Sequence, residues 1–232
     1  DCGEPNAPVT WRAVDGDEVP LIGGRRLTDF KPVTDAGVLS RLPDAARGRV
    51  LCADVGAHGV ADFGTFHPCG HGGGSNVAAL QLFFNGQAMT LARWPHASPL
   101  PGRGFMQGAD VDGDGIVYAE DRPTRWAAQE DLYVYGYLSL DWASTIACVT
   151  SHDPGRRRIE IDPPRGGHYG VRKGGRLFFF NVLEELSHPG DWAFDRAAGM
   201  LYFWPPTPLD AGQAIVSTLE APLVDVSGVE HV

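Results

Sequence analysis

Long apolar runs are missing from this 232-residue sequence. No stretch approaches the ~20 residues that span a bilayer as a helix, so nothing in it reads as a membrane anchor. Positive charge is scarce: 19 Lys and Arg stand against 29 Asp and Glu, for a net charge of -10. That balance argues against non-specific binding to nucleic acid or acidic membrane, and there is no basic run or RNA-binding signature. The densest basic cluster, Arg156-Arg157-Arg158, leads into Ile159-Glu160-Ile161 and reads as a strand start. Cysteine is sparse and scattered at Cys2, Cys52, Cys69 and Cys148. With no C-x-x-C, a zinc ribbon is excluded, while two disulfides and four thiols both remain open. Also absent are G-x-S-x-G and H-x-H-x-D-H. Gly72-Gly73-Gly74-Ser75 has no strand before it and no clear helix after it, which argues against a phosphate cradle. A serine hydrolase of the usual kind is thereby disfavoured, whereas an unusual small-ester or lactone hydrolase stays open. The chain starts at Asp1 without Met or signal peptide and reads as a mature or cut product.

Turn formers and strand formers are plentiful. Gly (30) and Pro (18) make up roughly a fifth of the chain, which implies many turns and few helices. The one expected helix lies within Asp35–Gly48, with Pro43 interrupting it. Strands are expected at Val9–Val14, Val19–Ile22, Leu80–Phe84, Ala88–Arg93, Ile116–Tyr118, Leu132–Leu140, Thr145–Thr150, Arg158–Ile161 and Arg176–Leu183. Further strands are expected at Trp192–Asp195, Met200–Trp204, Ile215–Leu219 and Leu223–Val226. Asn85-Gly86 between two of these is the strongest hairpin signal. The class is therefore all-β, and spacing leaves sandwich, barrel and β-helix open. His67–Ser75 and Ser98–Gly115 read as long loops.

The second of those loops carries the most specific motif. Asp110, Asp112 and Asp114 occupy alternate positions, Gly115 follows at the sixth, and Asp121 stands at the twelfth. This is the ligand order of a calcium loop, with the carbonyl of Ile116 at the seventh place. Asp121 is shorter than the usual bidentate Glu, and Glu120 could replace it by a one-residue shift. A solvated Asp/Gly turn is the plain alternative. A strand rather than a helix follows, so a structural clip is expected rather than a sensor EF-hand.

Aromatics are the next signal. Trp94, Trp126, Trp142 and Tyr169 are candidate platforms for sugar rings, which stack their C–H faces on flat aromatics. Tyr133, Tyr135 and Tyr137 share one strand face by their period of two, and a cross-strand aromatic ladder accounts for them equally well. Candidate catalytic groups are Asp141, Glu184, Glu185 and, as a general base, His168. Glycosidic hydrolysis usually needs two carboxyl groups facing one bond. If the segment stays extended, Glu184 and Glu185 point to opposite faces. His67 and His71 have an i, i+4 spacing on a Gly/Pro loop, without evident further zinc ligands. His58, His96, His152 and His168 stand isolated in sequence.

Several stretches together resemble one family. They are Ala7-Pro-Val-Thr-Trp-Arg-Ala, Leu82-Phe-Phe-Asn-Gly-Gln-Ala-Met-Thr-Leu-Ala-Arg-Trp-Pro95 and Asn181-Val-Leu-Glu-Glu-Leu-Ser-His-Pro-Gly-Asp-Trp192. Asp195-Arg, Gly199-Met-Leu-Tyr-Phe-Trp-Pro-Pro206, Pro222-Leu-Val and Gly228-Val-Glu-His-Val232 complete the set. The pattern resembles the N-terminal half of secreted right-handed parallel β-helix proteins, nearest glycoside hydrolase family 141, which contains fucosidase and xylanase activities. The resemblance implies β-helix strands and a short helix in residues 1–47, an inserted β-rich domain (sandwich or barrel) in 48–208, and return strands in 209–232. It implies a secreted or periplasmic protein acting on the glycosidic bonds of polysaccharides, with the family's catalytic carboxylates beyond residue 232. A non-catalytic module that binds glycan or packs on a β-helix is the alternative.

Overall fold

The computed structural model describes residues 2–66, 80–98, 104–113, 115–128, 130–162, 169–209, 212–219 and 221–231, with backbone alone for 107–109. In chain order the strands are β1 (Gly24–Leu27), β2 (Lys31–Pro32), β3 (Leu51–Asp54), β4 (Leu82–Phe84), β5 (Gln87–Ala88), β6 (Thr90–Leu91), β7 (Arg93–Trp94) and β8 (Met106–Asp112). They continue as β9 (Gly115–Val117), β10 (Tyr133–Tyr137), β11 (Thr145–Asp153), β12 (Arg158–Asp162), β13 (Gly175–Phe180), β14 (Asp191–Asp195), β15 (Met200–Phe203) and β16 (Ala214–Ser217). The single described α-helix is α1 (Ala36–Arg41). The protein is all-β, as its turn-rich composition implies. Among the described residues no helix is long and apolar enough to cross a membrane.

Local chemistry explains the elements. The Asp35 carboxylate accepts from the Val38 N–H and starts α1. Leu42 is already extended, as expected of a residue before proline, so the helix stops at Pro43. Asn85 and Gly86 both adopt positive φ (51° and 74°) and join β4 to β5, the backbone that a two-residue hairpin demands. The chain reverses again between β14 and β15, where Gly199 has a φ of 67°.

Three sheets result. One has the order β1-β16-β4-β5 and another β2-β3-β15-β14-β6. They share a core of Leu27, Leu82, Phe84 and Val216 from the first sheet against Trp192, Phe194, Leu201 and Phe203 from the second. Ala193, Tyr202 and Trp204 point the other way from the five-stranded sheet and bury against Leu42, Ala46, Leu183 and Leu186. This alternation is the period of two expected of strands covered on both faces.

The third sheet runs β10-β11-β12-β9-β8-β13-β7, and β13 also pairs β10. The pairing thus returns to its starting strand around a second core of Ile116, Val134, Ala147, Ile159, Ile161, Leu177 and Phe179. Asn181, just past β13, ties this sheet to the previous one. Its amide donates to the Phe194 carbonyl (2.9 Å) and accepts from the Phe194 N–H (2.8 Å).

Some expected elements take another form. Val9–Val14, Val19–Ile22 and Leu223–Val226 are not strands. Their apolar side chains are exposed, Trp11 and Val14 among them, and nothing described pairs with them along a ladder. Alternating apolar residues do not make a strand without a neighbour to complete its hydrogen bonds. The two ends do touch, through Gly3 N–H to Glu230 O (3.0 Å) and Val9 N–H to His231 O (3.0 Å). Ser98–Gly115 is not a continuous loop either, because it contains β8. Cys2, Cys52 and Cys148 are free thiols, and Cys69 lies outside the described residues, as does the His67–Ser75 loop.

Candidate functional site

The outer face of the third sheet carries the aromatic stripe. Tyr133 lies opposite Phe180, Tyr135 opposite Phe178 and Tyr137 opposite Arg176. The Tyr133–Phe180 and Tyr135–Phe178 ring centres are 5.5 and 5.1 Å apart, and the Arg176 guanidinium sits 4.8 Å from the Tyr137 ring centre. The tyrosines therefore form the cross-strand ladder that their spacing implies. Phe105 packs against Tyr137 and Phe178, and Arg93 lies 3.2 Å from the Phe178 ring centre. Burial lowers the Arg93 pKa to about 10.

At one end of the ladder two rings leave the protein surface. Trp142 follows β10 and is 61 % exposed, and Tyr169 lies on the approach to β13 and is 39 % exposed. Their ring centres are 5.6 Å apart at 70°, an edge-to-face pair. Asp141 beside them receives Arg172 (3.1 Å) and Arg176 (3.4 Å). Trp142 belongs to a turn between β10 and β11. The site combines a wide apolar platform with charged hydrogen-bonding groups at its margin.

The other two candidate platforms are placed differently. Trp126 is only 5 % exposed and belongs to the core, its indole N–H donating to Glu185 (2.8 Å). Its face is unavailable to a ligand. Trp94 is half-buried, donates to Glu120 (2.8 Å) and lies under the Arg122 guanidinium.

Glu184 and Glu185 are not on an extended strand, because Leu183–Glu185 forms a 3-10 turn. Glu184 accepts from Arg41 Nε (2.8 Å) and from the Ala127 N–H (2.9 Å). Glu185 is 2 % exposed and takes a bidentate pair from Arg122 (2.7 and 3.1 Å) in addition to Trp126. Burial raises its pKa, against the lowering effect of Arg122 and Trp126. Glu184 thus ties its turn to α1 and to the Ala127 backbone, and Glu185 ties it to Arg122 and Trp126. Asp141 is held in its arginine pairs, and His168 lies outside the described residues.

A cavity of about 650 Å³ opens elsewhere, between the end of β13 and the β14–β15 hairpin, lined by Arg41, Asp131, Tyr133, Asn181, Arg196 and Tyr202 among others. Two of its three carboxylates, Asp131 and Asp195, have partners. Asp131 accepts from the Tyr133 hydroxyl (2.8 Å) and pairs with Arg196 (3.2 Å), while Asp195 caps the Ala198 N–H (3.0 Å). Burial first, and then the hydrogen bond to Asp131, pushes the Tyr133 pKa well above the usual range.

The acidic motif folds as a hairpin. Asp110 lies opposite Val117 and Asp112 opposite Gly115, joining β8 to β9. Asp110 pairs with Lys173 (2.9 Å), Asp112 with Arg158 (3.4 Å) and Asp121 with Arg157. The hydrogen bond from Lys173 leads the lowering of the Asp110 pKa. Ile116 is paired on both sides, with Val111 and Ile159. Asp114 lies outside the described residues. The described members each hold a different cation and do not converge as a cage.

A tertiary cluster escapes any reading of the sequence alone. Among the described residues, His96, His188 and Asp191 form the one group of three metal-competent side chains whose donor atoms lie within 4.8 Å of each other. His96 is therefore not isolated. The only local signal was the tight turn Ser187-His188-Pro189-Gly190-Asp191.

The chain matches no protein-family model and no curated protein. Its fold is similar to that of a solved structure named "Glycoside hydrolase", with a TM-score of 0.63, 17 % sequence identity and 92 % of this chain covered. The chain spans about a third (34 %) of that protein's length. At this identity the likeness establishes the all-β fold.

Proposed function

We propose that this chain is a glycan-binding part of a carbohydrate-active protein. The carrying observation is the exposed Trp142–Tyr169 pair beside Asp141, Arg172 and Arg176. A sugar ring presents one apolar C–H face and a rim of hydroxyls, and this surface offers a partner to each. Covering about 100 Å² of aromatic face supplies about 2.5 kcal/mol. The similar fold in a protein named as a glycoside hydrolase supports the same substrate class. On this reading the substrate is an extracellular plant or microbial polysaccharide, and the whole protein is a secreted β-helix enzyme resembling family 141. Asp141, Glu184 and Glu185 then serve structure and binding, and bond cleavage falls to other groups. The test is affinity electrophoresis in gels cast with a panel of neutral polysaccharides, combined with an aryl-glycoside assay. Retardation without turnover supports binding. Turnover by the 232-residue chain supports the hydrolase reading instead, and turnover of aryl esters alone supports an esterase or lactonase.

Calcium at Asp110, Asp112, Asp114, Ile116 and Asp121 is a separate proposal that rests on ligand order in the sequence. Loading would require Lys173, Arg158 and Arg157 to release their carboxylates. The ion would therefore clip the β8–β9 hairpin by exchanging ion pairs for coordination bonds.

A further inference from the structure

We infer that His96, His188 and Asp191 form a binding site for a divalent metal ion of the zinc class. The site stands apart from the Trp142 surface and does not depend on the glycan reading.

Asp191 is the anchor. It is 1 % exposed, at the start of β14. Its Oδ2 accepts two backbone N–H groups, from Ser187 (3.0 Å) and His188 (2.8 Å), which fixes the carboxylate and folds the turn before it. Its Oδ1 faces His96 Nε2 at 3.2 Å. Two ligands at about 2.0–2.1 Å from a tetrahedral ion stand about 3.3 Å apart, so this pair is already spaced as zinc ligands are. His188 completes the group, with Nδ1 at 3.7 Å from Asp191 Oδ2.

The polarity of His96 is the stronger argument. Its Nδ1 lies 3.2 Å from the Ala97 carbonyl, which can only accept. With Nδ1–H donated there, Nε2 presents a lone pair to a carboxylate oxygen. Two lone pairs repel, so a cation belongs between them. That cation is either a proton or a metal ion. The rings of His96 and His188 lie 3.9 Å apart at 36°, which brings both imidazoles to one place. A single shared metal ion resolves that conflict. The surrounding contacts suit it: Ala97 O orients His96, and the Ser187 hydroxyl lies 2.8 Å from His188 Nδ1. Such outer partners set tautomer and ring direction in metal sites. Two imidazoles and one carboxylate select a borderline ion over magnesium or calcium. His96 and His188 are partly exposed (32 % and 57 % of their side chains), which leaves the remaining coordination positions to water or a ligand atom.

The experiment titrates the EDTA-treated, dialysed full chain with ZnCl2 by calorimetry and records the absorption spectrum with Co²⁺. One equivalent bound, with d–d bands of a low-coordinate cobalt site, is the expected result. His96→Gln and His188→Ala should each lower affinity by at least roughly the 10–100-fold that loss of an outer-shell partner costs. Circular dichroism checks that both variants fold. His188→Cys should keep cobalt binding and add a sulfur-to-cobalt charge-transfer band, which only a ligand position can give. No binding to the wild-type chain overturns the inference, leaving a hydrogen-bonded His–Asp pair. Stoichiometric binding unchanged in the double variant His96→Gln/His188→Ala also overturns it, because the metal then sits elsewhere.

Discussion

Asn181 holds two sheets together with one side chain, so its replacement has a calculable cost. The residue sits just after β13 with φ 62°, in the left-handed region, and is buried. Its amide donates to Phe194 O (2.9 Å) and Asp131 O (2.9 Å) and accepts from Phe194 N–H (2.8 Å). Both main-chain groups of Phe194 point at Asn181, away from β15, where Phe194 only stands opposite Leu201. Asn181→Ala therefore leaves a buried N–H and a buried carbonyl of Phe194 without partners, at about 1–3 kcal/mol each. Alanine also bears about 1–2 kcal/mol for the left-handed backbone. The sum is about 5 kcal/mol, which at roughly 2–4 °C per kcal/mol lowers Tm by about 15 °C. Asn181→Gly loses the same hydrogen bonds but not the backbone strain. At ordinary positions glycine is less stable than alanine by roughly 0.5–1 kcal/mol, and here the order should vanish or invert. Urea denaturation followed by tryptophan fluorescence measures both variants. An alanine variant within about 1 kcal/mol of wild type would refute the reasoning, and so would a glycine variant that is the weaker by the ordinary margin.

Three further outcomes follow from the same structure. His152 is lowered by burial and shares a 2.7 Å hydrogen bond with Tyr118, whose own pKa burial pushes up to about 12. A depressed histidine contributes stability that is full above its unfolded value near 6.5 and is lost as pH falls through the folded value. Thermal melts should weaken on acidification in that window, and His152→Phe should flatten the profile. Glu185→Ala strands Arg122 and the Trp126 indole, and should cost about 2–3 kcal/mol, below the usual 3–5 for a buried pair because Arg122 is partly solvated; a neutral result in urea denaturation would contradict the staple. Calcium added to the metal-free chain should raise Tm, and Asp112→Asn should abolish the rise. The absence of any shift in wild type would leave the hairpin held by its ion pairs alone.

Features that depend on neighbours in sequence were legible. Asn85-Gly86 makes its hairpin because both residues tolerate positive φ, and Pro43 bounds α1 because it restricts Leu42. The tyrosine stripe shares a face because strand periodicity allows nothing else. Features set by distant partners were not legible. The acidic run shows its calcium-loop order in sequence, but its pairing with Lys173, Arg158 and Arg157 from other elements does not show there. Val9–Val14 alternates like a strand, yet no described edge receives it. The arginines that hold Glu184 and Glu185, Arg41 and Arg122, lie 143 and 63 residues away and are equally invisible in sequence. The His96–Asp191 contact spans 95 residues, so only the folded chain could bring it to light.

The glycan reading stands or falls on one surface. Tryptophan fluorescence of the wild-type chain, titrated with a panel of soluble plant and microbial polysaccharides, should change saturably with at least one of them. Trp142→Ala should lower that affinity tenfold to about 60-fold, the equivalent of about 1.4–2.5 kcal/mol of lost stacking, with its fold unchanged by circular dichroism. A wild-type chain that responds to none of the panel, or a variant that binds as well as wild type, would contradict the account.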